Sequence, residues 1–217
     1  MIMHYEQSEP DIKNDLVYSL EASHHRKSIL SFIRENIVDV SRKLSGKANI
    51  DISTLSEDNI SREIANLFND KLRELSGYLF RFEAKSGPDI LIFASPYIVF
   101  SDPLFFIEAK RLPPTSSRDY VNCGIGRFKN KEHGKNHDIA AMLGYVQKED
   151  FNYWYDQVNS WIDDLIASPN DCIGWLEEDR ITIIQVSEFG EYKSTHSRIK
   201  MNPIILYHFW MNLCKQK

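Results

Sequence analysis

The chain has 217 residues, of which 42% are hydrophobic, and a formal net charge of −5 at pH 7. The length and composition fit one larger domain with a substantial core, or a domain with a helical extension. The negative charge excludes a protein that binds nucleic acid through its overall charge. Any DNA binding must therefore be local, metal-assisted or shared with a partner.

The three cysteines, Cys123, Cys172 and Cys214, are scattered, and no spacing typical of a metal site links them. They are expected to be reduced thiols, as is usual in cytoplasmic proteins. The N-terminal residues lack the basic and apolar regions of a secretory signal peptide. No apolar run approaches the ~18 residues that a membrane span needs. The sequence therefore predicts a cytoplasmic protein with no membrane partner.

Two amphipathic helices are predicted in the first third of the chain. The first covers residues 23–46, because apolar side chains recur there at helical spacing. Its stripe consists of Ile29, Ile33, Ile37, Val40 and Leu44. The second covers residues 60–75, with Asp58 or Asn59 as its N-cap. The stripe of the second helix consists of Ile60, Ile64, Leu67, Phe68, Leu72 and Leu75.

Three strands follow the second helix, at residues 78–83, 89–93 and 104–110. A turn around Gly87 separates the first two strands. Pro113 and Pro114 end the third strand, because proline cannot donate a hydrogen bond to the sheet. The apolar residues before Glu108 indicate a strand that is buried on both faces.

The rest of the chain is predicted to contain two helices and a strand. The first helix covers residues 136–147, and its apolar face consists of Ile139, Met142, Leu143 and Val146. The second helix covers residues 152–167, and β-branched residues predict a strand at 181–186. Residues 204–213 are apolar and fit either a strand or a helix.

The residues with the most chemical information lie at the start of the second strand and at the end of the third. Asp89 follows Pro88 and opens an apolar run, and Glu108-Ala109-Lys110 ends another. Residues two apart in a strand share a face, so Glu108 and Lys110 point the same way. If the two strands are neighbours, Asp89 lies beside Glu108. Two carboxylates in one place require a cation, and Mg²⁺ is the usual oxygen-binding choice.

This arrangement resembles the PD-(D/E)XK nuclease superfamily, through Pro88, Asp89, Glu108 and Lys110. The likeness covers roughly residues 59–146. It implies an α/β, restriction-endonuclease-like core with a mixed central sheet flanked by helices. Residues 1–50 would form an N-terminal helical extension packed on the core, and residues 51–217 the nuclease-like domain. The triplet alone is not specific, because an acid two residues before a lysine occurs four times in the chain.

The resemblance also implies roles for these residues. Asp89, Glu108 and the Ala109 carbonyl would bind Mg²⁺ or Mn²⁺, and Lys110 would orient the attacking water or neutralise the transition state. Members of the superfamily often contribute a glutamate from the helix before the first strand, which points to Glu63. A helical Glu near an N-terminus is equally favoured by the helix dipole alone.

Each of these residues also has a structural interpretation. Asp89 is a common residue type in a turn after Gly-Pro, and Asp102 is a competing acid in the turn before the third strand. Glu108 and Lys110 could instead be charged residues that protect an edge strand from aggregation.

The most basic stretch of the chain is residues 127–137. Next to the site, its cationic side chains would bind the phosphate backbone; these are Arg127, Lys129, Lys131 and Lys135. A solvated loop is the equally weighted alternative.

The sequence thus predicts a metal-dependent nuclease that hydrolyses phosphodiester bonds. By resemblance its substrate is double-stranded DNA, in restriction, phage defence or repair, and a second copy or a partner subunit supplies specificity. The alternative is a catalytically silent protein of the same fold that binds DNA or a protein partner.

Overall fold

The computed structural model describes residues 9–46, 55–72, 78–83, 87–94, 102–112, 118–168 and 173–214, with the side chains of the first helix described from residue 24 onward. Within these residues a mixed sheet of seven strands is flanked by four α-helices, so the chain has an α/β fold. No helix in these residues is both long and apolar enough to cross a membrane.

The α-helices are α1 (Glu9–Ser45), α2 (Glu57–Leu72), α3 (Gly126–Lys129) and α4 (Phe151–Ile166). The strands are β1 (Tyr78–Phe82), β2 (Ile90–Ala94), β3 (Phe105–Leu112), β4 (Ile139–Val146), β5 (Thr182–Val186), β6 (Phe189–Arg198) and β7 (Met201–Asn212). A π-helical turn, Tyr120–Ile125, runs directly into α3, and a 3-10 turn, Glu177–Asp179, precedes β5.

The strands lie in the order β1-β2-β3-β4-β7-β6-β5. The central strands β3, β4 and β7 are parallel, and the other neighbours are antiparallel. Side chains from α1 and α2 form one core with one face of the sheet. Side chains from the π-helical turn, α3 and α4 form a second core with the other face. Both faces of the parallel strands are therefore covered, as parallel sheets require.

The predicted apolar stripe of α1 is buried in the first core, so this helix packs on the sheet. The helix begins earlier than predicted, at Glu9 instead of residue 23. Three arginines of α1 follow one another at intervals of eight residues, and each forms an ion pair with an acid of the sheet or its loops. The pairs are Arg26–Asp138, Arg34–Glu191 and Arg42–Glu188. Eight residues advance a helix by about 12 Å and turn it roughly 80° beyond two full turns, so the three ion pairs are spread along and around α1.

The predicted start of α2 was wrong by three residues. The helix begins at Glu57, and Ser56 is its N-cap, because the Ser56 hydroxyl accepts a hydrogen bond from the Asn59 N–H at 3.2 Å. Asp58 and Asn59, the two predicted caps, both lie inside the first turn. The shift matters because it places Glu57 on the helix, where the dipole favours an acid.

The predicted helix at residues 136–147 is wrong: Ile139–Val146 is strand β4. Its apolar residues have helical spacing, but the residues between them are also buried. A central parallel strand needs apolar side chains on both faces, and this requirement overrides the apparent period. The predictions for β1, β2, β3, β5 and α4 agree with the structure to within two residues at each end. The undecided segment 204–213 belongs to strand β7.

Candidate active site

Asp89, Glu108 and Lys110 lie together where β2 begins and β3 approaches its end. Ile90 pairs with Ile107 in the antiparallel register, so Asp89 falls beside Glu108. The Asp89 Oδ2 accepts a hydrogen bond from the Ala109 N–H at 2.7 Å. The Lys110 Nζ lies 3.8 Å from Asp89 Oδ2 and 2.9 Å from Glu108 Oε1. The sequence predicted that these three side chains lie close together, and the structure shows that they do.

The alternation of β3 also follows the prediction. Ala109 packs in the first core, under α1 and α2. Glu108 contacts Arg127 and His133, which belong to the opposite layer. Gly124 of the π-helical turn packs closely against Met142 and lies next to Lys110: a Cβ atom at Gly124 would lie 2.4 Å from Met142 Cε and 3.4 Å from Lys110 Cγ.

A third carboxylate comes from Glu57 rather than from the predicted Glu63. The Glu57 Oε1 accepts a hydrogen bond from Lys110 Nζ at 2.7 Å, and its Oε2 accepts one from the Arg111 N–H at 2.9 Å. Glu63 lies six residues further along α2, which turns it roughly 120° around the helix axis from Glu57. Sequence reasoning missed Glu57 because it placed the helix start three residues too late. The signal was Ser56, a strong N-cap followed directly by an acid.

Glu108 is fully buried and lies among three basic side chains. Lys110 and Arg127 both approach its Oε1, with Arg127 Nη1 at 3.0 Å. His133 Nε2 lies 3.3 Å from Oε2, but the pair is too poorly aligned to form a hydrogen bond. Among the described residues, Oε2 is therefore a buried acceptor without an aligned donor. Such an atom is costly unless another group, such as a metal ion, satisfies it.

The environment separates the pKa values of the two central carboxyls. Burial, and then the negative charge of Glu108, raise the pKa of Asp89 from its ordinary 3.8 to about 7. Burial also works to raise the pKa of Glu108, but the neighbouring His133 and Lys110 outweigh it and hold that pKa below its usual value. Burial works to lower the pKa of Lys110, but the three carboxylates outweigh it and raise that pKa.

The oxygen atoms around Lys110 match the donors that Mg²⁺ prefers. The ammonium lies 2.7 Å from Glu57 Oε1, 2.8 Å from the Ala109 carbonyl oxygen and 2.9 Å from Glu108 Oε1. It thus stands among the same hard oxygen atoms that would bind a divalent cation. In the described part of the chain, no group of three or more His, Cys, Asp or Glu side chains is arranged to hold a metal ion as it stands. Metal binding would require Lys110 to move.

The basic stretch contains four predicted phosphate-binding residues with four different environments. Lys129 is buried, and its Nζ binds both Asp179 oxygens at 2.9 and 2.8 Å, so the prediction that it contacts phosphate is wrong. Arg127 contacts Glu108 and therefore belongs to the site. Lys131 is half-buried and donates to the Ile199 carbonyl at 3.2 Å, and Lys135 is exposed.

The site thus combines three carboxylates with two side chains of fixed positive charge, Lys110 and Arg127. If all three carboxyls are ionised, one negative charge remains, which favours a cation. No protein-family model, curated protein or solved structure matches this chain. The function of the protein is therefore inferred from the chemistry of these side chains.

Proposed function

We propose that the protein is a Mg²⁺-dependent nuclease with a restriction-endonuclease-like core. The observation that carries the proposal is the meeting of Glu57, Asp89, Glu108 and the Ala109 carbonyl around the Lys110 ammonium. The order of the elements supports it. Glu57 begins α2, Asp89 directly precedes β2, and both acids lie beside β3, the interior strand of the sheet that carries Glu108.

Asp89, Glu108, the Ala109 carbonyl and Glu57 are the residues that would hold the metal ion, which can be Mg²⁺ or Mn²⁺. When bound, the ion supplies a water molecule of lowered pKa and positive charge next to the scissile phosphate. The buried Glu108 Oε2, which has His133 Nε2 at 3.3 Å but no aligned donor among the described residues, is one oxygen that such a ligand would satisfy.

The remaining residues of the site act on water and phosphate. Lys110 sits on a rigid central strand, so its ammonium can hold the attacking water or offset the charge that develops on the phosphate. Arg127 is partly exposed, with 39% of its side chain accessible, and can turn from Glu108 to a phosphate oxygen. Arginine suits this task because its planar group binds two oxygens at once.

Cleavage of supercoiled plasmid with Mg²⁺ or Mn²⁺ tests the proposal. The Glu108→Gln substitution should lower the cleavage rate by roughly 10²-fold or more, because it removes a charged ligand and leaves the shape of the side chain intact. Circular dichroism should show that the variant is folded.

Glu83→Gln is the matched control, because Glu83 belongs to a second Glu-Ala-Lys triplet and pairs with Arg81 instead of Lys110. This control should cut like the wild type. Equal cleavage by Glu108→Gln and the wild type would identify a contaminating nuclease and reject the proposal.

The substrate preference for DNA rests on the resemblance alone, and parallel assays with RNA test it. Backbone contacts are expected from Lys131 and Lys135, the two lysines of the basic stretch that are neither buried nor tied to the site. Their joint replacement by Ala should weaken binding equally for different sequences, because phosphate contacts do not read bases.

The same double variant should also lower the slope of log affinity against log salt by roughly one for each lost contact. Filter binding or fluorescence anisotropy at several salt concentrations measures this slope. Lys27 and Lys43, both exposed on α1, provide a control pair whose replacement by Ala should leave the slope unchanged. An unchanged slope in the Lys131/Lys135 variant would show that this loop is only a solvated surface.

A silent binding protein is the second candidate, and one observation favours it. Lys110 and Arg127 already neutralise much of the charge of the cluster, so the site has an internal cation. Calorimetry with Mn²⁺ separates the two functions. Saturable binding that Asp89→Asn weakens supports the nuclease, and no site-specific binding supports the silent protein.

A further inference from the structure

A row of buried polar side chains crosses the second core, on the same side of the sheet as Glu108. The Tyr120 hydroxyl lies 2.9 Å from His208 Nδ1, and His208 Nε2 lies 2.8 Å from Ser194 Oγ. The row then continues at 2.6 Å from Ser194 Oγ to His196 Nε2, and at 2.6 Å from His196 Nδ1 to Asp179 Oδ1. Trp210 joins one end at 2.8 Å from Tyr120, and Lys129 joins the other end through Asp179.

With both histidines neutral, the two ends of the row fix the direction of every hydrogen bond in it. The Trp210 indole can only donate, and it donates to the Tyr120 oxygen. The ionised Asp179 carboxylate can only accept, so it receives the hydrogen of His196 Nδ1. His196 Nε2 must then accept from Ser194, and Ser194 must accept from His208 Nε2. His208 Nδ1 in turn accepts from Tyr120.

This arrangement gives one hydrogen to each link, provided that both histidines are neutral. An additional proton on either ring would leave one hydrogen of the row without an acceptor. Burial agrees with this, because it lowers the pKa of both His196 and His208. Asp179 accepts from His196, from Lys129 and from the Leu176 N–H, so both of its oxygens are satisfied. Such a fully satisfied buried network holds its members in one arrangement.

The row is attached to the candidate active site at two points. Tyr120 begins the π-helical turn, and Lys129 is the last residue of α3. The ten residues from Tyr120 to Lys129 include Gly124, which lies next to Lys110, and Arg127, which binds Glu108. Both ends of this segment are thus fixed to β6, β7 and the 3-10 turn by buried hydrogen bonds.

We infer that the buried row positions the segment 120–129 against the site, so that Ser194 and Tyr120 are positioning residues that act through Arg127. The inference rests on the proposed nuclease function for its kinetic consequence. Ser194 is the central link, and it touches neither the carboxylates nor Lys110. Loss of its hydroxyl leaves a buried donor on His208 and a buried acceptor on His196 without partners.

The kinetic test is a double-mutant cycle between Ser194 and Arg127. Ser194→Ala should lower kcat by roughly tenfold with KM changed less than about twofold, because misplaced groups cost rate more than binding. In an Arg127→Ala background the same substitution should cause no further loss of kcat. Ser194→Thr, which keeps the hydroxyl, should restore most of the rate. Equal losses in both backgrounds, or no loss in either, would overturn the inference.

Ser41→Ala is the matched control, because Ser41 is also a buried serine but donates to the Asn212 carbonyl on the other side of the sheet. It should leave kcat unchanged, because its hydrogen bond lies outside the row. If Ser194→Ala does not fold, Tyr120→Phe breaks the row at a different link and enters the same cycle.

A spectroscopic test remains even if no nucleic acid is cleaved. Long-range ¹⁵N–¹H NMR of the wild type should show two neutral rings, with the proton on Nδ1 in His196 and on Nε2 in His208. In Ser194→Ala, the amide hydrogens of segment 120–129 should exchange faster, whereas those of α2 should not. Charged rings, the opposite tautomers or unchanged amide exchange would refute the inference that the row positions segment 120–129. A wild-type protein that gives the expected spectra but cleaves no nucleic acid would refute only the proposed nuclease function.

Discussion

Replacement of Lys110 by Met is expected to abolish cleavage and to tighten Mn²⁺ binding at the same time. Met has a similar length but no charge, so it removes the ammonium that stands 2.7 to 2.9 Å from Glu57, the Ala109 carbonyl and Glu108. Without it the carboxylates repel one another, and a divalent cation relieves this repulsion. The affinity for Mn²⁺ should rise by about tenfold or more, which corresponds to ~1.4 kcal/mol.

Cleavage should nevertheless fall by roughly 10³-fold, because no ammonium remains to hold the water or to offset the charge of the transition state. Calorimetry at pH 8 and a plasmid assay measure the two effects on the same preparation. Opposite signs in the two experiments are the signature of a lysine that both occupies the cation position and takes part in the reaction.

Lys110→Arg provides the control for charge. It keeps the positive charge and changes the geometry, so it should lose cleavage without a gain in metal affinity. Arg127→Met removes a charge that contacts only Glu108 among the three carboxylates, so a smaller gain in Mn²⁺ affinity is expected. Unchanged metal affinity in Lys110→Met would show that the metal and the ammonium do not compete for these oxygens.

The centre of the site was predictable from sequence because short-range rules determine it. Strand alternation alone places Glu108 and Lys110 on one side and Ala109 on the other. Strands that follow one another in the chain usually pair, so Asp89, at the start of β2, was expected near the end of β3, and the antiparallel register of β2 and β3 agrees. These inferences use residues that are close in the sequence, and no knowledge of the rest of the fold is needed.

The missed elements depend on contacts that are distant in sequence. The apolar residues of β4 fit a helix until β3 and β7 pair with it on both sides. β6 has Ser194, His196 and Arg198 on its buried side, so it lacks the apolar alternation of a strand. The hydrogen-bond partners of these side chains are far away in the chain, and no local sequence pattern predicts such partners.

The same dependence on contacts that are distant in sequence explains the wrong prediction for Lys129 in the basic stretch. Lys129 was grouped with its cationic neighbours because a charge run is usually solvated. Its actual partner, Asp179, lies 50 residues later and is equally buried. A buried pair of this kind carries a desolvation cost that its hydrogen bonds must offset. The two charges are well satisfied here, because Asp179 also accepts from His196 and the Leu176 N–H.

Replacement of Asp89 by Asn is expected to stabilise the fold at pH 8 and to weaken metal binding. The folded-state pKa of Asp89 is about 7, above its ordinary 3.8, so the folded protein binds this proton more tightly than the unfolded chain. Its contribution to stability is therefore greatest below pH 4 and is lost as the pH rises through 7. At pH 8 the ionised carboxylate costs about 2–4 kcal/mol.

Asn removes this cost and keeps an oxygen that accepts the hydrogen bond from the Ala109 N–H. Urea unfolding should therefore give a variant that is more stable than the wild type by about 2–4 kcal/mol at pH 8, and by little at pH 4. Asp102→Asn, in an exposed loop before β3, is the control and should follow the wild type at both pH values.

Addition of Mg²⁺ at pH 8 should narrow the difference between Asp89→Asn and the wild type. A ligand that binds only the folded state raises its stability, and the wild type binds the cation more tightly. An identical response of both proteins to Mg²⁺ would remove Asp89 from the metal site. Identical pH dependence would show that its carboxylate is not destabilised. The expected result, a residue that destabilises the free protein and stabilises the metal complex, is what distinguishes a functional acid from a turn residue that occurs there by chance.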